Sequence, residues 1–428
     1  MRITLVGCGI GGLATAIALH AAGFEDVTVF EAAPRLSTQG FGLNILPNAV
    51  RELAELGLLD ELRQQGVQTR ELLMCSPQGD VVWREDRGLS AGYGWPQVSI
   101  SRARLVGVLA AEVRRRLGDG AIVTGARLVG LDEARGVFVH EDGARRTVEA
   151  DVLVGADGIH SAVRAAFYPS EGPPRTNGMT LYRGTAWSSG FLTGGSMTVL
   201  GDDRRRLVLY PIDHGTRGRC LINWVAAFPA PTADAGRSRP QEDVSGMREV
   251  LLREFGGWSP PDLDLVRVIG DTERIHTYPM IDRDPVPRWT FGRVTLLGDA
   301  AHAMYPAGSN GATQAIVDAR VLAWHLASHS DVGEALGAYE AERLPQMAEL
   351  QRINRSMGPE RVLTLAHQRA PRGFERIGDV FSEEELAEIS RSYAATGKFD
   401  QDWVNSRPSL SVRRRRQPAM RHNNGSAA

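Results

Sequence analysis

The sequence predicts an α/β fold, in which a Rossmann-type dinucleotide-binding unit is interrupted by a mainly β-sheet module and followed by C-terminal helices. Three observations predict it. A glycine-rich turn, VGCGIGG at residues 6–12, joins a strand-like run to an Ala-rich helical run. Two further glycine-and-acid signatures follow, VGADGIHSAVR at 154–164 and LLGDAAHAMYPAGSNGATQAIVDA at 296–319. Between them, from about 177 to 280, the pattern changes to short alternating strands separated by turns.

Element by element, Arg2–Val6 reads as a buried parallel strand, 11–22 as a helix and 27–31 as the second strand of a βαβ unit. Residues 43–70 carry Leu53, Leu56, Leu58, Leu59 and Leu62 on one side and read as helical. Short strands over 72–99, an amphipathic helix over 101–117 and a strand–turn–strand over 121–150, punctuated by Asp142-Gly143, follow. The inserted module has strands at 180–187, 196–200, 207–212 and 219–228, a Pro/Ala-rich surface loop at 229–240 and a helix at 243–255. A strand at 294–297 leads into a long helical region from about 311 to 360. The tail, with four arginines at 413–416, reads as a disordered end. The expected division is a nucleotide-binding domain of residues 1–72, 98–176 and 277–365, a substrate domain of 73–97 and 177–276, and a C-terminal extension of 366–428.

Composition excludes several function classes. The 428 residues suffice for about two to three domains with a substantial core. With 49 basic and 51 acidic side chains, a net charge of −2 leaves no excess positive field for nucleic acid. Lys398, the one lysine, lies in a polar stretch, which removes a P-loop lysine and argues against Schiff-base chemistry. Cys8, Cys75 and Cys220 lack CxxC spacing, so neither a disulfide framework nor a metal site is expected. MRITLV runs straight into the glycine motif, and no apolar run approaches the ~18 residues of a membrane helix. A cytoplasmic protein without a membrane partner is expected.

Each signature implies chemistry. Gly7, Gly9 and Gly12 form G-x-G-x-x-G, with Glu31 nineteen residues on. The first glycine allows the tight turn, the second lets a pyrophosphate approach the backbone, and the third lets helix and strand pack closely. Glu31 can accept both hydroxyls of an adenosine ribose. This motif fits FAD and NAD alike. Asp157, at a strand's carboxyl edge, is placed to hold a ribose or ribityl hydroxyl. The third signature decides for flavin: Asp299 stands at a strand end, Gly308 and Gly311 permit close backbone approach, and amides near the helix start face the pyrimidine edge of an isoalloxazine. Pro306 fixes part of the loop on the face where oxygen reacts. His302 reads as a structural hydrogen-bonder.

On these motifs, in this order, the chain resembles the single-component class A flavoprotein monooxygenases, the aromatic hydroxylases that include salicylate and hydroxybenzoate hydroxylases, over roughly residues 1–360. LYRG at 181–184 and YPMIDRDPVPRW at 278–289 are similar to the phenazine-carboxylate hydroxylase branch. The resemblance implies a glutathione-reductase-type, p-hydroxybenzoate-hydroxylase-like FAD domain. It also implies NAD(P)H as co-substrate, O2, and a planar aromatic substrate, often a carboxylate, hydroxylated through a C4a-hydroperoxyflavin and in some cases decarboxylated.

By the same resemblance Gly9, Gly11 and Gly12 contact the FAD phosphates, Glu31 the ribose and Arg102 a phosphate, with Ser101 replacing the family's histidine. Gly42, Leu43 and Asn44 run past the flavin ring, and Leu128 meets adenine through its backbone. Asp299 holds the flavin chain, and Gly308, Gly311 and Ala312 lie near the ring, with NAD(P)H visiting by way of the D-G region. Tyr182, Arg183, Tyr210 and Trp224, on strands of the inserted module, are the substrate candidates. An arginine can hold a carboxylate bidentately, and aromatic walls suit a flat ring. Pro306, Gly308 and Tyr210 are the catalytic candidates, with His214 a second candidate base. A polyketide phenol, quinone or tropolone precursor is the alternative substrate class. The rivals are an NAD-dependent dehydrogenase, which leaves two signatures unexplained, and a non-catalytic flavin-binding regulator. The expected state is a monomer or homodimer.

Overall fold

A computed structural model describes residues 1–36, 40–216, 218–229 and 244–412. The expected tail at 413–416 and nearly all of the loop at 229–240 lie outside the described residues.

A six-stranded sheet runs in the order Thr290–Phe291, Val294–Leu296, Val152–Gly155, Arg2–Val6, Asp26–Phe30 and Ile122–Val123, parallel except at its first pair. Ile3, Leu5, Val29, Val152, Leu153, Val154, Val294 and Leu296 are fully buried, as a parallel sheet covered on both faces requires. The helix Ile10–Ala21 packs between Arg102–Leu117 and Asn310–Ser328, which is why Leu13, Ala16, Ile17, Ala18 and Leu19 are all apolar. On Asp26–Phe30, Phe30 stacks on Phe138 of the antiparallel sheet Ala126–Asp132, Arg135–His140 and Arg145–Glu149, with ring centroids 4.2 Å apart.

The inserted module is a seven-stranded sheet, in the order His276–Asp282, Arg175–Ser188, Cys220–Pro229, Arg206–His214, Ser196–Gly201, Glu71–Cys75 and Val81–Asp86. Its two faces differ. One buries Leu207, Leu209, Ile222, Trp224 and Phe228 against the helices Val244–Phe255 and Leu265–Gly270. The other turns toward the strands Gly42–Ile45, Val67–Thr69 and Gln97–Ser101.

Two expectations on local structure need correction. The stretch 43–70 is not one helix. Gly42–Ile45 and Val67–Thr69 are strands flanking Gln97–Ser101, and between them lie helices Pro47–Glu55 and Leu59–Gln65, separated at Gly57 with φ +82°. Pattern alone does not separate short buried strands from helix turns. The region 311–360 is two helices, Asn310–Ser328 and Val332–Arg355, broken where the Asp331 side chain accepts the Glu334 N–H at 2.9 Å and starts the second.

Candidate active site

The glycine turn has the shape a pyrophosphate needs. Gly7 has φ +104°, and a Cβ there would strike the Ala156 carbonyl; a Cβ at Gly12 would strike the Gly7 carbonyl. A Cβ at Gly9 would point into open space. Gly9 is therefore the position where backbone faces a ligand, whereas Gly12 serves helix–strand packing and Gly11 packs toward Leu297 and Ala315. Close packing thus explains why Gly11 and Gly12 lack side chains, and both lie in the first turn of the helix Ile10–Ala21, beside the cradle. Glu31 stands over the turn: its carboxylate accepts from Cys8 N at 2.9 Å and Ala33 N at 2.8 Å. Ala126 N donates to the Glu31 carbonyl at 2.8 Å, which brings the strand bearing Leu128 alongside. Arg102 begins the next helix, exposed, its N–H bonded to the Phe41 carbonyl at 3.0 Å.

Asp157 is corrected. Its oxygens accept from Ser161 Oγ at 2.5 Å, Ala162 N at 2.7 Å and Val163 N at 3.2 Å, so the carboxyl caps the helix Ala162–Phe167 instead of reaching for a sugar. Burial raises its pKa against those bonds. The signature's last residue, Arg164, has a role that periodicity gave no sign of. Its guanidinium, 1 % exposed, donates to the carbonyls of Ala300 at 3.1 Å and Ala301 at 2.9 Å and pairs with Glu171, tying the second signature to the third.

In the third signature Asp299 is exposed and makes no hydrogen bond to any described residue; Gly311 lies beside it, a Cβ there falling 3.9 Å from Asp299 Oδ1. Gly298 adopts φ +61°, which turns the chain from strand to Asp299. His302 is fully buried and bonds Asp318 at 2.6 Å, with Arg343 on the other Asp318 oxygen at 2.7 Å, so it is a structural hydrogen-bonder. Pro306 is exposed, Gly308 has φ +66°, and Ser309 has φ +60°. Ala312 is half-buried, one turn into the helix Asn310–Ser328.

Facing this loop is the segment of Gly42, Leu43 and Asn44. Leu46 N donates to Thr313 Oγ1 at 3.2 Å, joining it to the third-signature helix. Gly42 N donates to Asn223 Oδ1 at 2.7 Å, and the Gly42 carbonyl accepts from Arg183 Nη2 at 2.7 Å. A Cβ at Gly42 would crowd Tyr210, Ile212 and Asn223, so glycine is required where this segment crosses the sheet. Asn44 instead turns its amide into the small sheet, accepting from Ser99 Oγ at 2.6 Å, while half-buried Leu43 packs on the core.

Strand alternation divides the substrate candidates. Arg183 and Tyr210 share the face turned to Gly42, where the Tyr210 hydroxyl lies close enough to favour the charged guanidinium. Tyr182 and Trp224 point the other way. Tyr182 stacks on Phe228 with ring centroids 5.0 Å apart, and Trp224 is fully buried with Nε1 donating to Thr272 Oγ1 at 2.9 Å. Both are core residues, and their assignment to the substrate is corrected. His214 is corrected as well: four residues beyond Tyr210, it lines a separate surface crevice of about 150 Å³ with Arg63, Arg70 and Thr193.

Four residues on the active face lay outside the sequence argument. The Phe41 ring lies 5.1 Å from the Arg183 guanidinium and meets His276 edge-on at 4.9 Å; His276 and Tyr278 stack at 6.4 Å; and Asn223 anchors Gly42. The signal available for His276 and Tyr278 was period-two alternation in HTYPMID, which register with Arg183 and Leu181 places on this face.

Arg183 is unusual. Burial lowers its pKa, offset by Tyr210 and Tyr278, and its Nε is sealed from water without a partner. No carboxylate among the described residues pairs with it. Asn223 Nδ2, on the same face, is also buried and unpartnered. Burial pushes the Tyr210 hydroxyl up to about 12, so it stays protonated at neutral pH. It is a hydrogen-bonding group there and not a base.

A family model described as FAD binding domain matches residues 1–353. Phenazine 1,6-dicarboxylic acid hydroxylase PhzS of Lysobacter antibioticus is 44% identical over 362 residues, covering 82% of this chain and 89% of that protein. 3-Amino-4-hydroxybenzoate 2-monooxygenase PtnB3 of Streptomyces platensis is 35% identical over 376 residues, covering 84% and 88%. Among solved structures, HpxO of Klebsiella pneumoniae, complexed with FAD and uric acid, shares the fold with a TM-score of 0.69 at 24% identity over 93% of each chain. The open cradle at Gly9, the carboxylate of Glu31 above it and the unpartnered Asp299 beside Gly311 fit FAD. The chain therefore belongs to the FAD binding domain family and is an FAD-dependent monooxygenase of the single-component aromatic hydroxylase class.

Proposed function

We propose that this enzyme uses NAD(P)H and O2 to hydroxylate a flat aromatic or heteroaromatic carboxylic acid of the phenazine-carboxylate or salicylate type. Arg183 carries this proposal: a half-buried guanidinium with its Nε sealed from water and no carboxylate partner among the described residues is a costly arrangement unless a ligand anion completes it. The names of the relatives, which act on a phenazine dicarboxylate and an aminohydroxybenzoate, agree with that chemistry.

When bound, the flavin supplies hydride acceptance from NAD(P)H and activation of dioxygen. One oxygen atom enters the ring and the other leaves as water. The protein's residues do the rest. Glu31 and the Gly9 turn hold the adenosine end, and Asp299 with the helix start at Gly311 and Ala312 holds the other. Arg183 orients the substrate carboxylate, with the neutral Tyr210 hydroxyl beside it. Phe41 and Tyr278 supply the walls that exclude water. Burial, with Arg274, lowers the pKa of His276, leaving a neutral imidazole on this face to take a proton from a ring hydroxyl. Pro306 and Gly308 shape the loop opposite.

The test is NAD(P)H oxidation by the FAD-loaded protein across salicylate, hydroxybenzoates, phenazine carboxylates and polyketide phenols, with product masses recorded. A gain of one oxygen on an acid supports the proposal, and a concurrent loss of carbon dioxide identifies oxidative decarboxylation. Turnover of neutral phenols in preference to acids overturns the carboxylate assignment.

A further inference from the structure

The loop from Tyr305 to Asn310 cannot hold its own shape. Gly308 and Ser309 are consecutive left-handed residues, with φ +66° and +60°, and for a serine that conformation persists only where surroundings enforce it. Much of what surrounds it comes from beyond the residues matched by the family model, 1–353. Tyr393, on the helix Glu383–Thr396, is 5% exposed and lays its ring where a Gly308 side chain would be. Its hydroxyl accepts from Asn310 Nδ2 at 2.9 Å and lies 2.7 Å from Asn354 Oδ1 and 3.0 Å from the Ala307 carbonyl. Glu360 lies beside Gly308, and Arg206 Nη2 donates to the Glu360 carbonyl at 3.5 Å. Gln314 bridges Asn310 Oδ1 and the Gly397 carbonyl, each at 3.0 Å.

Past Tyr393 the chain is strapped to the rest of the molecule. Tyr93 donates to the Phe399 carbonyl at 2.7 Å, Arg51 donates to the carbonyls of Val404 at 2.8 Å and Arg407 at 2.7 Å, and Arg407 pairs with Glu52. Arg320 holds Glu52 and Glu55 in place, at 3.0 and 2.7 Å. A helix this heavily anchored can impose a conformation on a loop.

We infer that residues 361–412 are a clamp on the loop Tyr305–Asn310, with Tyr393 its positioning residue, and that the clamp sets how tightly flavin is held and how fully reducing equivalents reach the substrate. The second part rests on the proposed function, in which this loop borders the flavin. Tyr393 touches no reacting atom in this scheme; it acts through the loop.

The experiment compares wild type with Tyr393→Phe, which keeps the ring and removes the hydroxyl, and with Arg407→Gln, which loosens the strap outside the loop. Amide exchange is read in the FAD-free protein. FAD affinity by fluorescence quenching and the ratio of hydrogen peroxide to NAD(P)H consumed are read in the loaded one. Both variants should speed exchange at the Gly308–Asn310 amides about three- to tenfold, with the strand Arg2–Val6 unchanged. FAD affinity should fall by a similar factor, and the peroxide fraction should rise. Unchanged loop exchange overturns the clamp, as does a uniform rise across the chain with FAD affinity intact, which marks a merely structural tyrosine. Failure of the wild type to take up FAD would strike the flavin reading alone and leave loop exchange to decide the clamp.

Discussion

Replacing Arg183 with methionine should move stability and substrate affinity in opposite directions. The side chain's volume is roughly kept and its charge removed. In the free protein the half-buried guanidinium donates to Gly42 O, has the Tyr210 hydroxyl beside it and has no counter-anion among the described residues. Losing the bond to Gly42 costs about 1 kcal/mol, whereas releasing a partly desolvated ion without a counter-charge returns more than that, so unfolding should become harder by about 1 kcal/mol. With a carboxylate substrate the sign reverses. Two charge-assisted bonds disappear at about 1.5–3 kcal/mol each, and the substrate's own charge is left unpaired. Affinity for the acid should fall about 100- to 10,000-fold, and for the matching carboxamide only about tenfold. The assay is titration of the FAD-loaded proteins with an aromatic acid and its amide, followed by flavin absorbance, alongside urea unfolding of the FAD-free proteins. An equal loss for acid and amide, or a lower urea midpoint, would refute the assignment of Arg183 as an anion site waiting for its ligand.

Three further outcomes are expected. Gly9→Ala should leave the melting temperature of the FAD-free protein nearly unchanged while abolishing FAD retention, because its Cβ enters open space; Gly12→Ala should lower that melting temperature too, because its Cβ strikes the Gly7 carbonyl. Trp224→Phe should cost about 1–3 kcal/mol in urea unfolding, through the lost bond to Thr272 and a cavity, with substrate KM unchanged; a raised KM would return Trp224 to the pocket. Burial raises the pKa of Asp318, but His302 and Arg343 outweigh it and hold the carboxyl at about 2, against 3.8 unperturbed. A depressed carboxyl pKa stabilises above the unfolded value, so about 2 kcal/mol should be present above pH ~4 and lost as pH falls toward 2. In Asp318→Asn, acid unfolding should lose that dependence.

The three signatures were legible because each is local: a strand, a turn that only glycine can make, and an acid at a strand end within a single βα or βαβ unit. Gly7, Glu31 and Asp299 are where the motifs put them. Asp157 shows the limit of that legibility, whereas His302 is the structural hydrogen-bonder it was read as. Whether a polar side chain in a motif faces a ligand or a helix end depends on neighbours the motif does not contain.

The inserted sheet was legible as strands, but not as faces. A strand buried on both sides alternates apolar with apolar, so Tyr182 and Arg183 read alike until pairing with Cys220–Pro229 and His276–Asp282 fixes which side meets Gly42. His276, Phe41 and Asn223 escaped notice for the same reason. They meet on the Arg183 face only after strands and a loop far apart in the sequence are brought together.

By itself the sequence determined the backbone chemistry of the cofactor cradle, since positive φ and close approach are properties of single residues. Tertiary structure alone decided which side chains form the substrate wall, which acids are engaged in capping, and that the distant Tyr393 holds the loop at Gly308. Those outcomes depend on burial and partners, and neither exists until the chain has folded.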